Sequence, residues 1–275
     1  MKKNLFLLSV LLTLLCGCTS EYTQVMKSQD YDYKYEYAKE CFAIGKFSRA
    51  SILLEEMITL LKGTDYAQES LYLLGMSQYN SLDFEGAAAT FKKFHSSYPR
   101  SVFAEHALFY VGESLFESAP EPRLDQSPTN GAITAYQQFL DLYPESSLRD
   151  VAQNKLYELQ DKIITKELLS AKLYYNLGGY FGNINSNNES NYTAAIITAQ
   201  NALKNYPFTD MREEFSLIVM KSKFQLAENS SEERRIERYR DAEDECYGFI
   251  NEFPDSKEKE LAEKYIERCK RFVKD

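Results

Sequence analysis

Residues Leu71–Pro99, LYLLGMSQYNSLDFEGAAATFKKFHSSYP, spell out a helical hairpin complete with its turn and its stop. Leu71, Leu74, Phe91 and Phe94 recur at helical spacing and supply an apolar seam. Gly75 and Ala87 are small, as two antiparallel helices require where they approach closely. Asp83 marks the turn. Pro99 ends the second helix because it has no amide hydrogen and its ring clashes with the preceding turn. Gln78 occupies a position where an aromatic would complete the pattern, and Tyr79 stands beside it.

The same spacing recurs along the chain. Ala38 precedes Gly75 by 37 residues, Ala50 precedes Ala87 by 37, and Gly112 follows Gly75 by 37. The Leu-Gly, Ala-x3-Phe, Pro signature resembles the tetratricopeptide repeat, and its period here exceeds the usual length of about 34 residues. The expected fold is all-α, a solenoid of about five helical hairpins closed by a C-terminal capping helix. Tyr37, Ala38, Ala50 and Leu54 make the first hairpin. The third has Leu108, Val111 and Gly112, then Ala132, Tyr136 and Phe139, closing at Tyr143-Pro144. Between its halves lies SAPEPRLDQSPTNG, whose three prolines predict an exposed loop. Polarity then stays helical from Ser147 to about Tyr180, one long helix entering the fourth hairpin. Gly178, Gly179, Gly182 and NINSNNES form a second insertion, after which Ala195 opens a helix ending at Tyr206-Pro207. The fifth hairpin has Phe215–Leu226, a charged insertion over Glu228–Arg235, then Ala242, Cys246 and Phe249 before Phe253-Pro254. Lys257–Val273 reads as the amphipathic, charged cap that a repeat stack needs.

After each closing proline, one residue on, comes a hydroxyl side chain: Ser101, Ser146, Thr209 and Ser256. Each is placed to be the N-cap of the next helix. Glu105, Asp150, Glu213 and Glu258 follow where a helix dipole favours negative charge.

Residues 1–17 read as a secretory leader: Lys2 and Lys3 precede an apolar run from Leu5 to Leu15 that is too short to span a bilayer. Leu15-Cys16-Gly17-Cys18 resembles the bacterial lipobox, which implies cleavage before Cys18 and lipid attachment to it, with two or more acyl chains for stable anchoring. No acidic residue directly follows Cys18, which in lipoproteins favours the outer membrane. Residues 18–30 are then the lipidated terminus and tether, 31–144 the first three repeats, and 145–275 repeats four and five with the cap.

The net charge of −9, near −11 once Lys2 and Lys3 are removed, argues against nucleic acid as a partner. Of the five cysteines, Cys41 and Cys246 fall on repeat-core positions, and a Cys246–Cys269 bridge stays open. His95 and His106 stand apart with no metal-type cluster, and neither a phosphate loop nor a catalytic constellation is present. No cofactor is expected, and the chain does not read as an enzyme. Adjacent acids such as Glu55-Glu56 and Glu213-Glu214 read as solvated surface.

A second apolar stripe runs along the first helices: Tyr35 and Phe42, then Tyr72, Met76 and Tyr79, then Phe109 and Phe116. It either packs against the neighbouring hairpin or faces a concave peptide-binding groove. Leader, lipobox, repeats and Tyr-Pro-x-Ser turns together resemble the BamD family of outer-membrane assembly lipoproteins, most firmly over Tyr31–Pro144. The resemblance implies an outer-membrane scaffold, lipid-anchored on the periplasmic side. Its implied partners are a BamA-type barrel protein, the other assembly-complex subunits and the C-termini of unfolded outer-membrane proteins. The insertions over Ala119–Asn130 and Gly182–Ser190 depart from the family's pattern. The alternative is another repeat lipoprotein of the envelope, serving peptidoglycan coordination, pilus assembly or secretion.

Overall fold

The computed structural model describes residues 21–178 and 188–273, and among them every regular element is a helix. The leader, the lipobox and most of the Gly182–Ser190 insertion lie outside the described residues. A short helix, α1 (21–27), precedes α2 (Tyr31–Ala43), α3 (Phe47–Met57), α4 (Ala67–Asn80), α5 (Phe84–Ser97), α6 (Ala104–Glu117) and α7 (Ser127–Leu142). Then follow α8 (Arg149–Gly178), α9 (Asn188–Asn205), α10 (Arg212–Glu228), α11 (Glu232–Glu252) and α12 (Lys259–Val273). These are the antiparallel hairpins of a tetratricopeptide-repeat architecture. Two compact units result. One holds the chain up to Pro120 with Gln126–Leu159; the other holds Glu121–Asp125 and the chain from Gln160 onward.

In the first unit the hairpins close by setting a small residue of one helix against a large one of the next. A Cβ added to Gly75 would lie 2.7 Å from the Phe91 ring, and one on Gly112 would lie 2.7 Å from the Tyr136 ring. Ala38 and Leu54, both fully buried, hold the equivalent places in the first hairpin. Phe91, Phe94, Tyr136 and Phe139 are themselves fully buried, each contributing on the order of 2 kcal/mol through removal of apolar surface from water. Gln78 is buried too. Its side-chain oxygen accepts from Thr90 Oγ1 at 2.7 Å, so a polar link across the hairpin replaces the expected ring.

The hairpin junctions share one geometry. Tyr98, Tyr143, Tyr206 and Phe253 each donate their amide to the carbonyl four residues back, which closes a helix. Each then accepts, through its carbonyl, from the amide of Ser101, Ser146, Thr209 or Ser256. Those hydroxyls do not cap the helices themselves. They accept from the amide two residues on, at 3.3 Å in Phe103, 3.0 Å in Leu148, 3.2 Å in Met211 and 3.1 Å in Glu258. The helix starts after this turn, because Ser and Thr side chains satisfy local amides in turn conformations as readily as at the cap.

Three expected boundaries shift. The proline-rich segment is not all loop: Ser127 begins α7 with Pro128 in its first turn, where a missing amide costs nothing, and Gln126 and Thr129 are buried and bonded to each other at 2.7 Å. α9 starts at Asn188, ahead of Ala195, and Tyr192 in its second turn covers Gly178. Glu228–Arg235 is no insertion loop either. Glu228 ends α10, and Glu232 already opens α11. Glu228 accepts from Tyr239 Oη at 2.8 Å and from Arg268 Nε at 2.8 Å, joining α10, α11 and α12. The guanidinium, aided by the Tyr239 hydroxyl, holds this carboxyl below the usual range.

Part of the expected 18–30 tether is helix α1, packed on the first hairpin. Val25 on α1 is fully buried in the core of the first hairpin, with Tyr22 and Met26 packed beside it. Lys34 is 2 % exposed and gives its ammonium to Glu56 at 2.6 Å, so one of the supposed solvated acids neutralises a buried charge. Glu214 pairs with Lys172, but both side chains stay about half exposed, as solvated surface.

Gly75→Ala should lower stability by about 1–3 kcal/mol, since the Phe91 ring has to give way. Gly248→Ala meets nothing within 4 Å and lies inside α11. It should raise stability by about 0.5–1 kcal/mol. Urea unfolding of both variants checks the pair.

Candidate docking surfaces

The first-helix stripe is the site the sequence puts forward, and the structure distributes its residues unevenly. Tyr35 and Phe109 are 1 % and 7 % exposed and belong to the core. Phe42, Tyr72, Met76, Tyr79 and Phe116 are half-buried. Tyr72 stacks on Phe103 at 4.7 Å between centroids and meets Phe91 and Phe94 edge-on at 5.8 and 5.6 Å. Tyr79 meets Phe84 and Tyr110, and Tyr110 stacks on Phe91 at 5.3 Å. Phe42 lies edge-on against Phe47 at 5.4 Å. From Tyr72 to Phe109, stripe and seam form one aromatic ladder across α4, α5, α6 and α7, with Phe103 and Tyr110 as rungs that sequence spacing did not single out.

A polar cluster edges this ladder. Tyr136 donates to Glu113 Oε1 at 2.6 Å, Lys155 of α8 lies 3.7 Å from Glu113 Oε2, and its ammonium sits 3.6 Å from the centre of the Phe116 ring. Burial pushes the Tyr72 and Tyr79 hydroxyls up to about 12, with Glu113 and Glu117 adding to the effect at Tyr79. Tyr136 rises further, through burial and its bond to Glu113.

An open apolar groove lies elsewhere, on the second helices. Its volume is about 540 Å3, and it runs between α5 and α7 over α6. Ala88, Leu108, Val111, Leu115, Gly131 and Ala135 line its apolar part, with Glu85 and Lys92 on the α5 rim. The signal for it was present as small residues on the outer faces of α5 and α7. It was hidden because Pro128 and Gly131 read as loop. The remaining candidates are structural. His95 bonds the Tyr143 hydroxyl at 3.1 Å, and its burial holds the imidazole below its ordinary range; His106 is exposed. Cys41, Cys246 and Cys269 are buried and free, with no bond between Cys246 and Cys269. Burial pushes the thiols of Cys246 and Cys269 up to about 12, so both stay protonated. Among the described residues no His, Cys, Asp and Glu cluster could hold a metal, and no helix is long and apolar enough to cross a membrane.

Against known proteins, the model of the YfiO family, described as outer membrane lipoprotein, matches residues 27–225. The chain belongs to this family. A curated relative is the outer membrane protein assembly factor BamD of Caulobacter vibrioides, 20% identical over 162 residues, with 59% of this chain and 53% of the relative covered. The chain thus spans about half the length of that relative. Among solved structures, the complex of the TPR2AB domain of yeast Sti1 with pHSP90 aligns with a TM-score of 0.38 at 12% identity, covering 89% of this chain and 98% of that one. The yeast histone chaperone Hif1 aligns with a TM-score of 0.29 at 14% identity, covering 92% and 96%. For this family member the repeat architecture is carried by its own hairpins.

Tyr72→Ala should cost roughly 3 kcal/mol of stability, as removal of a packed ring does. The raised tyrosines set an alkaline limit. Their folded values lie above the unfolded value of about 10, so their stabilising contribution is complete below that pH and is lost as pH rises towards 12. Melting temperature should hold from pH 8 to about 10 and then fall. The fall should be shallower in a Tyr72→Phe, Tyr79→Phe variant, read by circular dichroism.

Proposed function

We propose that this lipoprotein is a lipid-anchored scaffold of outer-membrane β-barrel assembly, held on the periplasmic side. It engages a BamA-type barrel protein with the other subunits of the complex, and receives the C-termini of unfolded outer-membrane proteins. The observation that carries the reading is the family match over residues 27–225, on a repeat scaffold of the kind that presents surfaces rather than reactive groups. The relative's role as an assembly factor points the same way. Cys18 is the proposed site of lipid attachment, on the strength of the apolar leader and Leu15-Cys16-Gly17-Cys18.

For the peptide, two surfaces compete. The half-buried stripe, Phe42, Tyr72, Met76, Tyr79 and Phe116, would have to exchange packing within its own fold for packing against a partner, while Tyr35 and Phe109 stay inside. The groove over α6 is already open and has the volume of a small-ligand pocket. Its alanines and valine suit an aromatic side chain, and Lys92 at the rim suits a terminal carboxylate. We assign the aromatic C-terminal residue of the client to this groove.

Affinity recovery of the chain from detergent-solubilised envelopes, followed by mass spectrometry, should bring down a BamA-type barrel; recovery of only peptidoglycan, pilus or secretion components would overturn the assembly reading. Cys18→Ser should move the chain from the membrane to the soluble fraction. Gly131→Leu tests the groove, since a Cβ there makes an ordinary contact with Leu115 at 3.6 Å and the rest of the side chain enters the groove. It should weaken binding of an aromatic-ended barrel peptide tenfold or more while leaving the melting temperature unchanged or higher. Unaltered affinity would move the site to the stripe.

A further inference from the structure

Glu21, the first residue of α1, stands three positions after the proposed lipid-bearing cysteine. Ser28–Asp30 turn α1 back along α2, with the Ser28 amide bonded to Val25 O and the Asp30 amide to Ser28 Oγ. The start of α1 consequently lies towards the far end of the first hairpin. Tyr22 sits 4.9 Å beneath the Arg49 guanidinium, and the Glu21 carboxylate acts electrostatically on Tyr37 and Cys41. Three residues reach at most roughly 10 Å. An acyl chain on Cys18 would therefore lie within that reach of Glu21, on the side of the first hairpin where Tyr22 meets Arg49.

Two apolar side chains at that end stand in solvent. Ile44 in the α2–α3 turn is 63% exposed, and Leu82 in the α4–α5 turn is 74% exposed. The two turns adjoin, since Gly45, Lys46, Phe47, Asn80 and Ser81 line one shallow depression. Leu82 stands 37 residues after Gly45, at the same place in its repeat, and shares its left-handed backbone: φ is +75° at Gly45 and +67° at Leu82. For a leucine that conformation is disfavoured by its Cβ, and its side chain gains no burial in return. Lys46 and Arg49 here are matched by Glu40 and Asp83, so the edge offers no net cation to anionic headgroups.

Resting on the anchor at Cys18, we propose that the α2–α3 and α4–α5 turns, led by Ile44 and Leu82, seat on a zwitterionic phospholipid surface. The contact is apolar and shallow, at the level of the headgroups, and it fixes the hairpins with their turn ends towards the membrane and their Tyr-Pro junctions away from it.

The test uses the full lipidated chain reconstituted in phosphatidylcholine and phosphatidylethanolamine vesicles. A nitroxide is introduced by Ile44→Cys, Leu82→Cys or Val102→Cys, the native thiols at 41, 246 and 269 being buried. Val102 is 87% exposed at the opposite end of the hairpins and serves as the control. The ratio of accessibility to oxygen over that to a water-soluble nickel chelate should be several-fold higher at 44 and 82 than at 102. Equal ratios in vesicle-bound protein would overturn the proposal and leave the anchor standing. Labels at 44 and 82 shielded from both reagents would assign the edge to protein and overturn it as well. Failure of the chain to sediment with vesicles would remove the anchor and the seating together.

Discussion

Contact between a small residue and a ring decides how close two helices of a hairpin come, and the rest of this structure depends on it. Where Gly75 faces Phe91 and Gly112 faces Tyr136, the glycine lets the ring lie on the backbone of its partner helix. The ring then reaches past the seam to the next hairpin, as Phe91 does in stacking on Tyr110. Closure of one hairpin and adhesion to the next thus share the same side chains. The second unit varies the solution: Ala199 and Cys246 take the Phe91 place in their hairpins, and Tyr192 supplies a ring elsewhere, over Gly178.

The junctions make the stack repeatable. A carbonyl that has just ended one helix accepts from the hydroxyl-bearing residue that begins the next turn, so termination and re-entry are one bonded unit. At the end of the chain the solution changes again: Glu228 binds Tyr239 and Arg268 and fastens the capping helix through charge. What this stack of hairpins presents is edges and grooves, such as the one between α5 and α7.

Legibility followed the physical origin of each feature. The hairpins were readable because helical periodicity and small-residue spacing are local. The stripe Tyr35, Phe42, Tyr72, Met76, Tyr79, Phe109 and Phe116 was readable as apolar, but a helix face wide in hydrophobics looks the same whether a neighbour or a partner covers it. Packing against Phe91, Phe94, Phe103 and Tyr110 accounts for much of that face. The groove over α6 went unread because Pro128 and Gly131 signal a loop, whereas proline in the first turn of a helix is favourable. Charged Glu228–Arg235 likewise read as a loop, since the pairing of Glu228 with a residue 40 positions away leaves no local trace.

The sequence by itself determined the all-α class, the repeat period, the seam residues and the places where hairpins end, because each rests on spacing within about one repeat and on the backbone chemistry of glycine, proline, serine and threonine. Only the tertiary structure decided which apolar faces are already covered, which acids neutralise buried or distant cations, and that Tyr22 and Val25 pack against the first hairpin. Those outcomes depend on which helices meet. Burial and ion pairing are properties of neighbours in space, and a one-dimensional pattern records them only when the neighbours are also close along the chain.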